Sequence, residues 1–173
     1  MKKLNHKKQN FKLQVEKQHY DFNKYVDNNR WNSYYYQIES VCNLSVRENN
    51  ILLVGVWDWI VSDILNKIGY NVTSFDFDEG LKPDIIWDVT KIDEIVQKKY
   101  DVVVCCQVLE HIPFEMFEST IKKISKITDN LVLSLPNKNF WIKWWTCCPI
   151  LRNIIWKFSV RIFWQNMWDI HKD

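Results

Sequence analysis

Between Asn50 and Asp88 the chain alternates apolar runs with a helical pattern in an order that few folds accommodate. Ile51-Leu52-Leu53-Val54 reads as a buried strand and ends at Gly55. Ile60, Val61, Ile64, Leu65 and Ile68 then recur on one helical face, with Gly69 as the stop. A second apolar run, Val72 to Phe75, ends at Asp76, and a third, Ile85-Ile86, ends near Asp88. Strand, turn, helix, and strand with an acid at its tip is the order of a nucleotide-binding βαβ unit. Asp76 lies 21 positions after Gly55 (76 − 55), the separation at which such units place a carboxylate to accept hydrogen bonds from ribose hydroxyls. The turn itself is unusual. Gly55-Val56-Trp57-Asp58-Trp59 carries two indoles where backbone must come close to a ligand, a task that calls for residues without side chains.

The alternation continues downstream. Ile92 to Gln97 predicts a short helix. Tyr100 opens a strand through Asp101-Val102-Val103-Val104-Cys105, with Gln107-Val108-Leu109-Glu110-His111 at its C-terminal end. Pro113 opens a helix that runs through Thr128, with Phe114, Phe117, Ile121, Ile124 and Ile127 at helical spacing. Leu131 to Leu135 reads as a fifth strand, ended by Pro136-Asn137. Continuous apolar strands alternating with helices predict an α/β fold, a parallel sheet covered on both faces. Upstream, Tyr20 to Leu44 carries Tyr25, Trp31, Tyr34, Tyr35, Ile38 and Val41 at helical spacing. It predicts a helix packed over the sheet edge, with closure of its aromatics over a bound ligand as the sharper alternative.

At 173 residues one domain with a sizeable core is expected. Residues 1–19 read as a basic tail, 20–138 as the domain and 139–173 as an aromatic helical segment. The formal charge of +2 predicts no nucleic-acid partner. Cys42, Cys105, Cys106, Cys147 and Cys148 follow no zinc or redox spacing, so no metal site is expected. The apolar start of a secretory signal is missing, which predicts a cytoplasmic protein. Residues 139–168 are apolar and aromatic but interrupted by Lys143, Arg152, Lys157 and Arg161. No uncharged run there approaches the ~18 residues of a transmembrane helix. A pair of helices capping the sheet is expected, with peripheral membrane contact through 139–168 as the other reading.

Four segments in order carry a resemblance. They are Asn50-Ile-Leu-Leu-Val-Gly-Val-Trp-Asp-Trp59, Val72-Thr-Ser-Phe-Asp-Phe-Asp78, Pro83-Asp-Ile-Ile-Trp-Asp-Val-Thr90 and Tyr100-Asp-Val-Val-Val-Cys-Cys-Gln-Val-Leu-Glu-His-Ile-Pro113. From about Tyr25 to Asn137 the chain resembles the class I S-adenosylmethionine-dependent methyltransferases, of the small-molecule kind described as type 11. The resemblance implies a doubly wound, Rossmann-like, mostly parallel sheet in the order 3-2-1-4-5, with S-adenosyl-L-methionine as cofactor. It implies transfer of the sulfonium methyl, by in-line attack, to a small-molecule or lipid- or sugar-linked acceptor. Carried onto this sequence, Gly55, with Val56 and Trp57 in the same loop, would lie against the methionine part of the cofactor. Asp76 would hold the ribose hydroxyls, and Phe77 would pack on the adenine. Asp88, with the Val89 backbone, would pair with the adenine edge. Gln107 and Val108 would line the floor near the sulfonium. No catalytic base is assigned. His111 is read as a histidine at a helix start, since many members of the family work by proximity and orientation.

The chain departs from the family's pattern. Leu53 stands where an acid is usual, and Trp57, Trp59 and Trp87 stand where glycine is usual. The family also continues past the fifth strand into a further helix and an antiparallel hairpin, so C-terminal truncation is expected, with the closing hairpin missing and the edge of the fifth strand open. The alternative to an enzyme is a non-catalytic remnant whose cofactor loop is blocked by Trp57 and Trp59. The composition is skewed in the same direction. Glycine occurs 3 times, where an average share of roughly 7% gives about 12, and tryptophan occurs 10 times. UGA codons that mean glycine, read here as tryptophan, would account for both counts and for the three positions.

Overall fold

A computed structural model of the chain describes residues 27–135 and the backbone of Ile155–Lys157. The expected basic tail, the greater part of the aromatic segment and the expected membrane contact lie outside the described residues. Helix α1 (Asn28–Leu44) starts at Asp27, whose Oδ1 accepts from the Arg30 N–H at 2.7 Å and so satisfies one free donor of the first turn. Strand β1 (Asn50–Val54), helix α2 (Ile60–Ile68), strand β2 (Asn71–Asp76) and strand β3 (Ile85–Ile86) follow. Next come a four-residue helix α3 (Ile92–Ile95), strand β4 (Val102–Cys106), helix α4 (Phe114–Ile127), strand β5 (Leu131–Ser134) and strand β6 (Ile155–Lys157). Gly69 ends α2 with φ +113°, and its N–H donates to Leu65 and Asn66 carbonyls. Only a residue without Cβ takes that left-handed cap freely.

The six strands lie in the order β3-β2-β1-β4-β5-β6, and every pair is parallel. Strands one to five have the expected order. The sixth was not expected. Where a pair of helices was read, residues 155–157 form a strand that runs from Val132↔Ile155 to Ser134↔Lys157 against β5. Ile155 and Trp156 are strong strand formers, and β5 offers them unpaired backbone. The edge of β5 is therefore covered over residues 132–134 rather than open.

Side chains alternate across the sheet as a two-residue period requires. Ile51 and Leu53 of β1 and Val102, Val104 and Cys106 of β4 pack with Tyr34 and Val41 of α1 and Val61 and Leu65 of α2. Leu52 and Val54, with Val103 and Cys105, pack on the other face with Ile92 of α3 and Ile121, Ile124 and Ile127 of α4. This double covering explains why both central strands read as unbroken apolar runs.

One polar pair ties the start of β3 to β2. The Ser74 N–H and hydroxyl donate to Asp84 Oδ2 at 2.8 and 2.6 Å, and the Asp84 N–H donates to Ser74 Oγ at 2.8 Å. The Ser74 hydroxyl holds the Asp84 carboxyl below the usual range. Ser74 is buried. Ser74→Ala removes the two hydrogen bonds of the hydroxyl; Asp84 is exposed and water replaces them in part, so a loss of about 1 kcal/mol in unfolding free energy is expected, read by urea denaturation.

Candidate cofactor site

The sheet's winding reverses between β1 and β4. In an open α/β sheet the loops beyond the carboxyl ends of those two strands form the ligand crevice. Here the loop after β1 (residues 55–59) and the start of the loop after β4 meet there, and Arg30, Tyr34 and Gln37 of α1 form the roof. The Tyr34 hydroxyl donates to Asp58 Oδ2. Asp58 Oδ1 accepts from the Ile60 N–H at 3.2 Å, so one carboxylate ties the start of α2 to the roof. Tyr34 is at the same time buried in the core between α1 and the sheet.

The loop after β1 has three left-handed residues. Gly55 has φ +87°, Trp57 φ +30° and Trp59 φ +67°. Trp87 lies outside that region; its N–H donates to the Asp76 carbonyl at 3.0 Å, and its indole packs on the α3–α4 side of the core. The bare face of Gly55 is closely covered. A Cβ placed there would lie 2.4 Å from Val108 Cγ2 and 3.0 Å from Trp57 Nε1. The Trp57 ring also packs against His111, with ring centroids 5.9 Å apart. The cavity left in the crevice is ≈ 20 Å³, room for about one water.

Asp76 ends β2 and is buried. Its Oδ2 accepts from the Val56 N–H and its Oδ1 from the Asp78 N–H, both at 2.9 Å. Burial pushes its carboxyl above the usual range, against the two amides that favour the anion. A carboxylate has about four acceptor positions, so ribose hydroxyls could still donate beside those amides. Phe77 next to it is 50% exposed and presents a ring toward solvent. Asp88 follows β3, and its Oδ1 accepts from the Thr90 N–H and hydroxyl at 2.8 Å each, capping the turn that contains buried Val89.

Gln107 is also left-handed, with φ +57°. Its N–H donates to the Ser134 carbonyl at 2.9 Å and its Nε2 to the Ser134 hydroxyl at 3.4 Å, joining the tips of β4 and β5. The structure thus brings Gly55, Val56, Trp57 and Gln107 to the crevice wall, with Val108 against Gly55 and Asp76 tied to Val56. Phe77, Asp88 and Val89 lie at the ends of β2 and β3 and form no part of that wall.

Two acids at the site had no role in the sequence reading. Asp58 carried a signal, since an aspartate just before a helix is a capping residue. Glu110 carried none beyond its motif. Its Oε2 is shut off from solvent and makes no hydrogen bond among the described residues. Burial pushes the carboxyl up to about 8, while its own backbone N–H and the charge of Arg30 pull the other way.

Order 3-2-1-4-5 with helices on both faces defines a Rossmann-like fold of the kind methyltransferases use. Among solved structures the chain is similar to the N-methyltransferase NodS from Bradyrhizobium japonicum WM9, whose crystal structure holds S-adenosyl-L-homocysteine. The TM-score is 0.52 at 12% identity. The match spans 59% of this chain and 58% of NodS, so the likeness covers under two thirds of that protein and is one of fold. No family model and no curated protein matches the sequence.

Proposed function

We propose that the chain is an S-adenosyl-L-methionine-dependent methyltransferase by descent and architecture. The observation that carries the proposal is the buried Asp76 carboxylate at the tip of β2, tied to the Val56 amide in the loop after β1 at the sheet's switch point. NodS, with S-adenosyl-L-homocysteine bound on a similar fold, supports it. At the nucleoside end the residues fit the cofactor. Asp76 keeps acceptor capacity for the ribose, exposed Phe77 offers a ring to the adenine, and Asp88 with Val89 stands at the next strand tip. At the methionine end they do not fit. The Trp57 indole covers Gly55, and ≈ 20 Å³ is far below what an amino-acid group needs. With tryptophan at 57 and 59, the reacting end of the cofactor has no place in the crevice.

The same misfit favours one alternative, a non-catalytic methyltransferase-like remnant. In the enzyme reading the acceptor is a small molecule or a lipid- or sugar-linked compound, chosen by α1 and by residues after Asn137. The cytoplasm is the proposed compartment, with peripheral membrane contact through 139–168 open to liposome flotation. No helix among the described residues is long and apolar enough to cross a membrane. Calorimetry with S-adenosyl-L-homocysteine tests the proposal. The chain as written is expected to bind weakly or not at all, and the Trp57→Gly/Trp59→Gly chain to bind. Absence of binding to both leaves the remnant.

A further inference from the structure

We infer that residues 57 and 59 are glycine in the protein as its cell makes it, so that the loop after β1 is a three-glycine loop. The backbone carries the inference. Residues 55, 57 and 59 all take positive φ, at +87°, +30° and +67°. L-residues avoid this region because Cβ crowds the following carbonyl, and bulky ones avoid it most. The other left-handed non-glycine residues among those described, Glu48, Lys82 and Gln107, have unbranched polar side chains. Two tryptophans in this conformation within three residues form a local conflict of sequence and structure.

Packing points the same way. A loop that brings backbone to a ligand must leave the ligand's space empty, yet here that space is filled by the chain itself. The Trp57 indole lies against the bare face of Gly55, and the crevice is reduced to the volume of a water. Removing two indoles from this wall opens it beside the start of α2. A group with a carboxylate suits that position. That ligand, the amino-acid end of a nucleoside-linked sulfonium, rests on the methyltransferase reading; the glycine identity does not. With 3 glycines and 10 tryptophans in the chain, a codon read two ways explains both positions at once. The same codon would account for Trp87, whose backbone supplies no strain argument.

Three measurements on the full chain test the inference. Peptide mass spectrometry of the protein from its own cells is expected to show glycine masses at 57 and 59. The Trp57→Gly/Trp59→Gly chain is compared with Trp57→Ala/Trp59→Ala, both of which remove the indoles. The glycine pair is expected to melt higher by about 5 °C, the reverse of the usual order, in which alanine is favoured. The glycine pair should bind S-adenosyl-L-homocysteine at least tenfold more tightly than the tryptophan chain. Tryptophan masses at 57 or 59, or an alanine pair as stable as the glycine pair, overturn the inference. Glycine masses and a more stable glycine pair that still ignores S-adenosyl-L-homocysteine uphold the glycine loop and overturn the methyltransferase reading instead.

Discussion

Asp76→Ala is expected to lower the unfolding free energy of the ligand-free chain by about 2 kcal/mol, and to weaken S-adenosyl-L-homocysteine binding to the glycine-loop variant at least tenfold. The first effect comes from the two amides that Asp76 holds. Val56 is buried, so its N–H loses its acceptor with no water to replace it, at a cost of about 1–3 kcal/mol. Asp78 is partly exposed, and its N–H can turn to solvent. Relief of the buried carboxylate's desolvation offsets part of the loss. The second effect combines a ribose that loses its acceptor with a loop that loses its tie to β2. The resemblance assigns Asp76 to the ribose alone; the hydrogen bond to Val56 adds the cost in stability. Urea denaturation and calorimetry separate the two roles. A destabilised variant with unchanged affinity makes Asp76 a loop tie alone, and unchanged stability contradicts the geometry at Val56.

The strands and the acids at their tips were legible because they rest on local pattern, whereas the order 3-2-1-4-5 came from the resemblance alone. Four-residue apolar runs, a helical period ending at Gly69 and acids at fixed distances are all short-range signals. The strand at Ile155–Lys157 was overlooked although Trp156 to Ile162 alternates apolar and polar residues, because the surrounding aromatic excess reads as helical and its partner β5 lies over twenty residues away. The roof over the crevice is a tertiary fact of the same kind. Tyr34 and Asp58 are 24 positions apart, and nothing in either segment names the other. The tryptophans were legible as misplaced only against a pattern. The structure then divides them. Trp57 and Trp59 are in conflict with their backbone, and Trp87 is not. Glu110 sits in the last of the four segments that carry the resemblance, yet its burial depends on how residues 107–111 turn over the end of β4.

That burial has a consequence for pH. The chain is expected to lose stability as pH rises from about 5 to 8, and Glu110→Gln to remove most of the loss. An unfolded glutamate titrates near the ordinary value of 4.5, whereas in the fold Glu110 titrates at about 8. Between those values the folded state holds a proton that the unfolded state has released. Stability therefore falls with rising pH across the window. The contribution is fully present below about 4.5 and gone above about 8. A shift of this size corresponds to at most about 5 kcal/mol. Glu110 is only partly buried by surface area, so solvent screening brings the expected change to about 2 kcal/mol. Asp76, also raised by burial, acts with the same sign. Asp84, Asp93 and Glu118, lowered by their hydrogen bonds, act with the opposite sign at acidic pH and leave the upper part of the window to Glu110. Glutamine keeps the shape and carries no charge at any pH. Denaturant midpoints at pH 5 and pH 8 should therefore nearly coincide for parent and variant at the lower pH, and favour the variant at the higher. Equal differences at both pH values would mean that Glu110 is solvated in the fold and that its Oε2 reaches water.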